Sequence, residues 1–310
     1  MRVFLAGATG MIGRRLLPLL ISAGHEVTGM TRSEQRGEAL RALGANPVIA
    51  DALDEPAVAE AVRRARPDAV VHQLTSLPRR IDPRRMKRDF EQNDRLRSEG
   101  THILVDAARA AGATRILAQS IAFAYAPGAR GTVHGEDDPL YLDAPEPFRR
   151  SANALHDLES SVKDAGGVVL RYGYIYGPGS AISRGGSMAE DLARRRLPIV
   201  GRGEGVWSFV HVDDAARATV AALEHGGPGA YNIVDDEPAP VAQWLPVLAG
   251  VLGAPRPMRI PALIARIAAG SFGVATMTRA QGAGNERAKR ELGWTPVYAS
   301  WREGFRSALG

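Results

Sequence analysis

The chain begins with Val3-Phe4-Leu5-Ala6-Gly7-Ala8-Thr9-Gly10-Met11-Ile12-Gly13, an apolar run that leads into glycines at three-residue intervals. Residues with the spacing of an amphipathic helix follow at once, so the stretch predicts a strand, a tight turn and a helix. Gly7 permits the turn, Gly10 lets backbone N–H groups approach a pyrophosphate, and Gly13 lets the helix pack against the strand. The helix N-terminus would then bind the anion. The stretch therefore predicts a dinucleotide-binding turn.

Strand and helix patterns continue to alternate through the first half of the chain. Strands are predicted at 3–6, 26–30, 47–50, 69–72, 115–118 and 168–172, and helices at 11–23, 34–43, 55–65, 84–111 and 151–165. Such alternation is typical of a parallel sheet with helices on both faces. We therefore predict an α/β protein with a Rossmann doubly wound parallel sheet, whose ligand site lies at the carboxyl ends of the strands.

The pattern loosens after the sixth strand, and Gly/Pro clusters at 177–179 and 226–229 indicate that the chain leaves the first domain and returns to it. We predict an NAD(P)-binding Rossmann domain of residues 1–173 with returning segments near 208–235. A smaller C-terminal α/β substrate-binding part would comprise residues 174–207 and 236–310. The polar loop at 120–150 is too long for a simple connection, which predicts a rim or lid of the substrate site.

Composition narrows the class of protein. The chain has 310 residues, 45% of them hydrophobic and 24% charged, and a net charge of +5. Its arginines are scattered among acids, so we predict no nucleic-acid partner. The absence of cysteine excludes thiol nucleophiles, disulfides and thiolate metal sites, and no histidine pair has metal-ligand spacing, so no metal site is predicted.

The apolar segment at 260–274 is interrupted by Arg266 and Gly270. It is shorter than the roughly 20 residues that span a bilayer, so we predict a packed helix and no membrane partner. The start of the chain lacks the charged region, long apolar run and cleavage site of a secretory signal. These patterns predict a cytoplasmic protein.

The end of the second predicted strand bears on the choice of cofactor. An acid there would bind the ribose 2′-hydroxyl, whereas arginine accommodates a 2′-phosphate. Arg32 follows this strand and Arg36 lies one turn later, so NADP is favoured over NAD as the cofactor. Arg14, after the third glycine, could add to the same patch. The alternative is that these arginines are ordinary exposed side chains.

The order of motifs along the chain resembles the extended short-chain dehydrogenase/reductase family, in particular its epimerase/dehydratase-like members. Besides the glycine turn, the resemblance rests on residues 170–179, 207–216, 230–233 and 288–296. It implies an Asp on the adenine edge after the third strand and a backbone after the fourth strand that lines the ribose and phosphates. The implied cofactor-binding residues are Gly7, Thr9, Gly10, Met11, Ile12, Gly13, Arg32, Arg36, Asp51, Ala52, Leu53, Gln73, Leu74, Thr75 and Tyr172. A homodimer through the helices near 84–111 and after 151 is the family's habit.

The family's catalytic Tyr-x-x-x-Lys pair is missing. The lysines are Lys87, Lys163 and Lys289, and the residues four positions earlier are Pro83, Glu159 and Asn285. Glu159 resembles a family glutamate eight residues after the tyrosine. That register puts Ser151 and Leu155 in the tyrosine and lysine positions, and the alternative register puts Phe148 and Ala152 there.

Hydride transfer to a carbonyl leaves an alkoxide that needs a proton donor, and the missing pair leaves that role open. Ser120 stands where the family places a hydroxyl that orients the substrate. Tyr174 is our first candidate for the acid, since its strand should run along the nicotinamide. The alternatives are Tyr125, Tyr141, His134 and His156.

Three functions remain open from sequence. The favoured one is an NADP-dependent oxidoreductase that transfers hydride to or from a small organic substrate. The second is a non-redox epimerase, dehydratase, lyase or cyclase with the same cofactor, which would turn over substrate without a net change in nicotinamide absorbance. The third is an NADP-sensing regulator, which would bind cofactor without turnover.

Overall fold

The computed structural model describes residues 1–82, 85–129 and 132–309. The strands are β1 (Arg2–Ala6), β2 (Glu26–Thr31), β3 (Asn46–Ile49), β4 (Ala69–His72), β5 (Arg115–Ile121), β6 (Val168–Tyr172), β7 (Tyr174–Tyr176), β8 (Ile199–Val200), β9 (Val206–Trp207), β10 (Phe209–His211), β11 (Gly229–Ile233), β12 (Ala239–Pro240) and β13 (Arg259–Ile260). The helices are α1 (Gly13–Ser22), α2 (Glu34–Ala42), α3 (Glu55–Ala65), α4 (Met86–Asp89), α5 (Glu91–Arg97), α6 (Glu99–Ala110), α7 (Phe148–Asp164), α8 (Ser187–Ala193), α9 (Val212–Glu224), α10 (Val241–Val251), α11 (Ala262–Thr278), α12 (Glu286–Leu292) and α13 (Trp301–Leu309).

A parallel sheet with the strand order β11-β6-β5-β4-β1-β2-β3 forms the centre of the molecule. Its register places Ala6 opposite both Met30 and His72, so the carboxyl ends of β1, β2 and β4 meet at one edge. The inner strands are almost entirely buried because helices cover both faces. The predicted Rossmann doubly wound sheet is confirmed.

Two apolar layers hold these helices on the sheet. On one face Leu16 and Leu20 of α1 pack with Ala215 of α9. On the other face Val58 of α3 and Leu104 of α6 pack beneath the same strands, together with residues of α7. The apolar stripe of each helix faces the sheet, as helical periodicity requires.

The single helix predicted at 84–111 is wrong, because the structure divides this region into α4, α5 and α6. The break before α6 lies at Ser98, whose φ is −85° and ψ −80°. Its hydroxyl donates to the Asp94 carbonyl oxygen at 3.1 Å, a local bond that competes with the helical pattern. The first residue of the prediction, Arg84, lies outside the described residues.

A third apolar cluster, rich in aromatic rings, lies in the C-terminal half. It includes Trp244 of α10, Phe209 of β10, and Trp301 and Phe305 of α13, all fully buried. This cluster is built from residues after β6, whereas the layer under α3 and α6 draws mainly on the first half of the chain and the layer under α1 and α9 draws on both halves.

The helix predicted near 260–274 is present as α11, but its packing was predicted wrongly for the first turns. Leu263 and Ile267 are 78% and 80% exposed, and only Ala265 of that stretch is buried. The helix then kinks at Gly270, which has φ 69°. Among the described residues no helix combines the length and apolar character needed to cross a bilayer.

Candidate active site

A groove crosses the carboxyl edge of β1, β2 and β4, where the sequence places the ligand site. Its lining is drawn from the glycine turn, the ends of these strands and α5. The lining residues are Gly7, Thr9, Gly10, Met30, Thr31, Arg32, Arg36, Ala50, Ala52, Gln73, Leu74, Thr75 and Leu96.

The glycine turn at one side of this groove leaves no space for side chains. Gly7 has φ +93°, and a Cβ there would lie 2.6 Å from the carbonyl carbon and oxygen of Gln73. A Cβ on Gly13 would collide with the carbonyl oxygens of Gly7 and Ala8. The Gly10 N–H donates to the Gly7 carbonyl oxygen at 2.9 Å, which closes the turn just before α1. The N-terminal end of α1 therefore opens towards the groove, as an anion site requires.

Buried polar atoms in the groove fit a ligand that carries hydroxyl groups. The Oγ1 atom of Thr31 and the Oε1 atom of Gln73 are buried and have no hydrogen-bond partner within the described chain. Gln73 is fixed by its other amide atom, since Nε2 donates to the Tyr172 hydroxyl at 2.9 Å. Buried polar atoms are normally paired, so these two are available to a bound molecule. The glycine cradle and these acceptors fit a dinucleotide with its ribose hydroxyls.

Arg32 and Arg36 lie at the β2 end of the groove, as the sequence predicts. Both are exposed, and among the described residues neither forms an ion pair. Ser33 accepts a hydrogen bond from the Arg36 N–H at 3.4 Å and so caps α2 beside them. Arg14 does not line the groove. Its Nε donates to the Thr9 carbonyl oxygen at 2.9 Å and supports the glycine turn instead.

Several predicted cofactor residues do not line this groove with their own atoms, namely Met11, Ile12, Gly13, Asp51, Leu53 and Tyr172. Ile12 is buried in the layer under α1, and the Tyr172 hydroxyl is bonded to Thr219 at 2.7 Å. Asp51 is exposed and accepts a bond from the Leu53 N–H at 3.0 Å. Their roles towards the cofactor stay predictions.

Sequence reasoning did not select Met30, Thr31, Ala50 and Leu96, which also line the groove. Met30 and Thr31 are the last two residues of β2, and Ala50 directly follows β3, a position that could have been used to find them. Leu96 belongs to α5, and a local hydrogen bond separates this helix from α6. The orientation of α5, and with it the position of Leu96, could therefore not be predicted from the sequence.

A second pocket lies between the loop after β5 and the C-terminal half. Phe123, Tyr125, His134 and Tyr141 form the side contributed by the loop. The opposite side is formed by Phe272, Ala275, Thr276, Arg279, Ala280 and Gln281. Gln281 also bonds the loop itself, since its Nε2 donates to the Thr132 hydroxyl at 2.7 Å. The loop therefore closes over this pocket, in agreement with its predicted place at the rim.

The two sites are joined through β5, which pairs with β4 in the sheet. Gln119 of β5 donates from Nε2 to the Leu74 carbonyl oxygen at 3.1 Å, and Leu74 lines the first groove. Four residues further along the chain, Phe123 lines the second pocket. The end of β5 and the residues after it therefore connect the groove with the aromatic pocket.

Ser120 belongs to a buried ionic network. Its hydroxyl donates to Oε1 of Glu159 at 2.8 Å, and Arg171 bonds both carboxylate oxygens of Glu159 at 2.9 and 2.6 Å. Burial alone would raise the pKa of Glu159, but the hydrogen bonds and positive charge of Arg171 outweigh it and leave that pKa below its usual value. The hydroxyl group of Ser120 thus donates its proton to Glu159 in a hydrogen bond. A role of Ser120 towards the substrate stays a prediction.

Tyr174 lies between two aromatic rings, 4.2 Å from the Phe123 centroid and 3.7 Å from that of Trp207. Burial raises its pKa, so its hydroxyl is a weak acid. The stack connects β7 and β9 with the second pocket through Phe123. The geometry gives Tyr174 a packing role, and its role as proton donor stays a prediction.

The other candidate acids are divided between the pocket and solvent. Tyr125 and His134 line the pocket, but both are engaged. The Tyr125 hydroxyl donates to Asn232 at 2.6 Å, and Nδ1 of His134 lies 2.8 Å from Asp138. Tyr141 also lines the pocket. His156 is exposed on the outer face of α7 and cannot serve it.

Neither register of the missing catalytic pair supplies an acid. Ser151 donates its hydroxyl proton to Oδ2 of Asp94 at 3.0 Å, and Leu155 is fully buried among apolar side chains. In the other register Phe148 stacks on Phe272 at 4.1 Å, and Ala152 is fully buried. The first register therefore holds a serine bonded to a carboxylate and a buried leucine, and in the second register Phe148 borders the second pocket through Phe272.

Residues 3–234 match the family model described as the NAD dependent epimerase/dehydratase family, and the chain belongs to that family. It is an enzyme of the extended short-chain dehydrogenase/reductase type with a nicotinamide dinucleotide as cofactor. A 3-diazoavenalumate denitrifying reductase from a Streptomyces species is 50% identical over 314 residues, which cover 98% of this chain and 99% of the relative.

Solved structures share the fold at lower identity. A UDP-glucose 4-epimerase of Thermus thermophilus in complex with NAD has a TM-score of 0.74 and 22% identity, and covers 99% of this chain and 97% of its own. A human epimerase family protein with NADPH has a TM-score of 0.74 and 21% identity, and covers 99% and 98%. Together with the reductase relative, family membership makes this protein an NAD(P)-dependent oxidoreductase.

Proposed function

We propose that the enzyme reduces an aromatic diazo substrate with NADPH and releases the diazo nitrogens as N₂. The relative named as a 3-diazoavenalumate denitrifying reductase matches nearly the whole chain at 50% identity, which supports this substrate class. The proposal assigns the cofactor to the groove at the carboxyl edge of the sheet. It assigns the substrate to the second pocket, between the loop and the C-terminal half.

The observation that carries the proposal is the loss of the usual proton-donating pair. Ser151, in the tyrosine position, donates to Asp94, and Leu155, in the lysine position, lies among apolar side chains, so neither a phenol nor an ammonium group stands there. A carbonyl substrate needs such a donor because hydride transfer creates an alkoxide. The local structure therefore favours a substrate whose reduction needs no proton in that step.

An aryl diazonium ion is such a substrate. It is already cationic, and addition of one hydride gives a neutral product without a proton. A C–H bond forms, the C–N bond breaks, and the two nitrogen atoms leave together as N₂. The cofactor supplies the hydride, which is the role nicotinamides have in this class of enzyme. The protein has to bind the aromatic ring, orient it and exclude water.

The second pocket fits those tasks. Phe123, Tyr125, Tyr141 and Phe272 present aromatic surfaces on both of its sides. Aromatic rings bind planar ligands by stacking or edge contacts, which contribute roughly 0.5–1.5 kcal/mol per ring pair beyond area burial. A lysine in the family position would repel a diazonium cation, and Leu155 removes that charge.

NADPH is the proposed form of the cofactor because Arg32 and Arg36 are exposed at the groove without an acidic partner among the described residues. Guanidinium groups bind a phosphate through charge-assisted hydrogen bonds. Among the residues that the structure describes, no carboxylate lines the groove at that end, where an acid would bind the 2′-hydroxyl of NAD.

The test is an assay of the purified enzyme with NADPH and 3-diazoavenalumate. We expect one N₂ released for each NADPH oxidised, and a single-turnover rate that is flat between about pH 6 and 8, since no general acid takes part. A Gly10→Trp variant, which fills the groove, serves as the control without cofactor binding. NADPH oxidation without N₂ release, or no oxidation with the diazo compound, would refute the proposal.

A further inference from the structure

We propose that Arg279 binds a carboxylate on the substrate and thereby selects anionic aromatic substrates over neutral ones. This inference rests on the proposed function only for the diazo group of the substrate. Recognition of the carboxylate depends on residues of the second pocket alone. Arg279 would be a specificity-determining residue that does not take part in hydride transfer.

The backbone of Arg279 is fixed, whereas its side chain is free. Arg279 follows α11 directly, and its N–H donates to the Ala275 carbonyl oxygen at 2.7 Å. The next residue is held against β9, where the Val206 N–H donates to the Ala280 carbonyl oxygen at 2.7 Å. The side chain of Arg279 lines the pocket, is exposed, and forms no ion pair within the part of the chain that the structure describes.

Two other arginines near the loop are already neutralised. Arg171 is paired with Glu159, and Arg287 contacts Asp137 and Glu136. Arg279 differs because the described pocket lining contains no carboxylate. An unpaired guanidinium facing aromatic surface has the chemistry to bind an aromatic carboxylate.

The polar groups opposite Arg279 do not compete for this role. The Tyr125 hydroxyl is bonded to Asn232 and also accepts from Arg171 at 2.8 Å. The His134 ring is paired with Asp138 and stacks on Tyr125 with centroids 4.7 Å apart. A carboxylate that enters the pocket therefore meets Arg279 as a donor without a prior partner.

The spacing on α11 matches a molecule with a ring at one end and a carboxylate at the other. Phe272 and Ala275 lie three residues apart on one face of α11, and Arg279 follows at the C-cap of that helix, where its φ is −135°. Along the axis, Phe272 and Arg279 are about 10 Å apart. All three line the pocket, so an elongated aryl carboxylate can contact the ring and the guanidinium at once.

The experiment compares a carboxylate with its methyl ester. The substrates are the diazonium salts of 3-aminocinnamate and of methyl 3-aminocinnamate, assayed with NADPH. We expect wild-type enzyme to prefer the carboxylate by about 10- to 100-fold in kcat/KM, the usual range for one charged hydrogen-bond pair. Arg279→Gln should remove this preference through a higher KM for the carboxylate, with kcat and the ester unchanged. Arg279→Lys should restore part of it.

Arg266→Gln is the matched control, since Arg266 is exposed on the same helix and does not line the pocket. Binding of cinnamate and methyl cinnamate in the presence of NADP⁺ is measured by calorimetry in parallel, without turnover. Carboxylate-selective binding that depends on Arg279, together with no N₂ release, would refute the proposed function and leave this inference standing. Equal use of acid and ester in turnover, or equal or undetectable binding of both in the absence of turnover, would overturn the inference.

Discussion

At the scale of single residues, the buried ion pair of Glu159 and Arg171 is the feature of the fold that most depends on both partners being present. Both side chains are almost completely buried, and Arg171 also bonds Tyr125. Isolated buried charges are strongly unfavourable, so each partner needs the other. The pair links α7 to β6 and, through Tyr125, to the loop over the second pocket.

Glu159→Gln should lower the free energy of unfolding by about 3 kcal/mol at neutral pH, because it leaves the Arg171 charge buried without a counter-charge. Urea denaturation measures the change. Glu60→Gln is the control, since Glu60 bonds Arg63 and Arg64 at the surface, and it should change stability little. Equal effects of the two substitutions would contradict this account of the buried pair.

The same pair predicts a direction for pH dependence. The pKa of Glu159 is lowered in the folded protein from its ordinary value of 4.5, despite burial that opposes this, by hydrogen bonds and charge from Arg171. Its contribution to stability is therefore present above pH 4.5 and is lost as the pH falls below that value. The stability difference between wild type and Glu159→Gln should shrink in this acidic range.

The preference for NADPH over NADH can be tested at Arg32, which lines the groove. Arg32→Ala should raise the dissociation constant for NADPH by about 10- to 100-fold, because a charge-assisted bond to the 2′-phosphate is lost. The affinity for NADH should change little, and calorimetric titration measures both. Arg41→Ala is the control on α2, exposed and outside the groove. A parallel loss of affinity for both cofactors would argue against a phosphate contact.

At the scale of elements, the turn between β1 and α1 depends on close backbone contact. Gly13→Ala should abolish cofactor binding and lower the melting temperature, because the new Cβ would collide with carbonyl oxygens of the turn. Gly250→Ala is the control, since its Cβ would meet no atom within 4 Å in α10. That variant should be neutral or more stable by up to about 1 kcal/mol. Tight cofactor binding by Gly13→Ala would show that the contact is not required.

The elements differ in how well the sequence predicts them. Strands of the sheet were predictable because burial on both faces makes them mostly apolar, with polar residues only at or near their ends. The division of α5 from α6 was not, since it follows from the local bond of Ser98 to Asp94. Exposure of Leu263 and Ile267 in α11 was also missed, because apolar composition does not state which neighbours cover a helix.

At the scale of the whole molecule, the sheet brings distant parts of the chain to one edge. The glycine turn, the ends of β2 and β4, and the start of the loop after β5 converge there. The second pocket then needs α11, which comes more than a hundred residues after that loop. A substrate site of this kind depends on the docking of the C-terminal half, which no local pattern encodes.

The doubly wound sheet, the glycine turn and the absence of a Tyr-x-x-x-Lys pair can all be read from the amino-acid sequence, because they follow from local periodicity, glycine spacing and residue identity. The bond of Ser120 to Glu159, the bond of Ser151 to Asp94 and the place of Arg279 in a pocket with aromatic rings of the distant loop emerge only when the chain is folded. Such contacts join residues far apart in the chain, so they depend on how the packed elements lie in space rather than on neighbours in sequence.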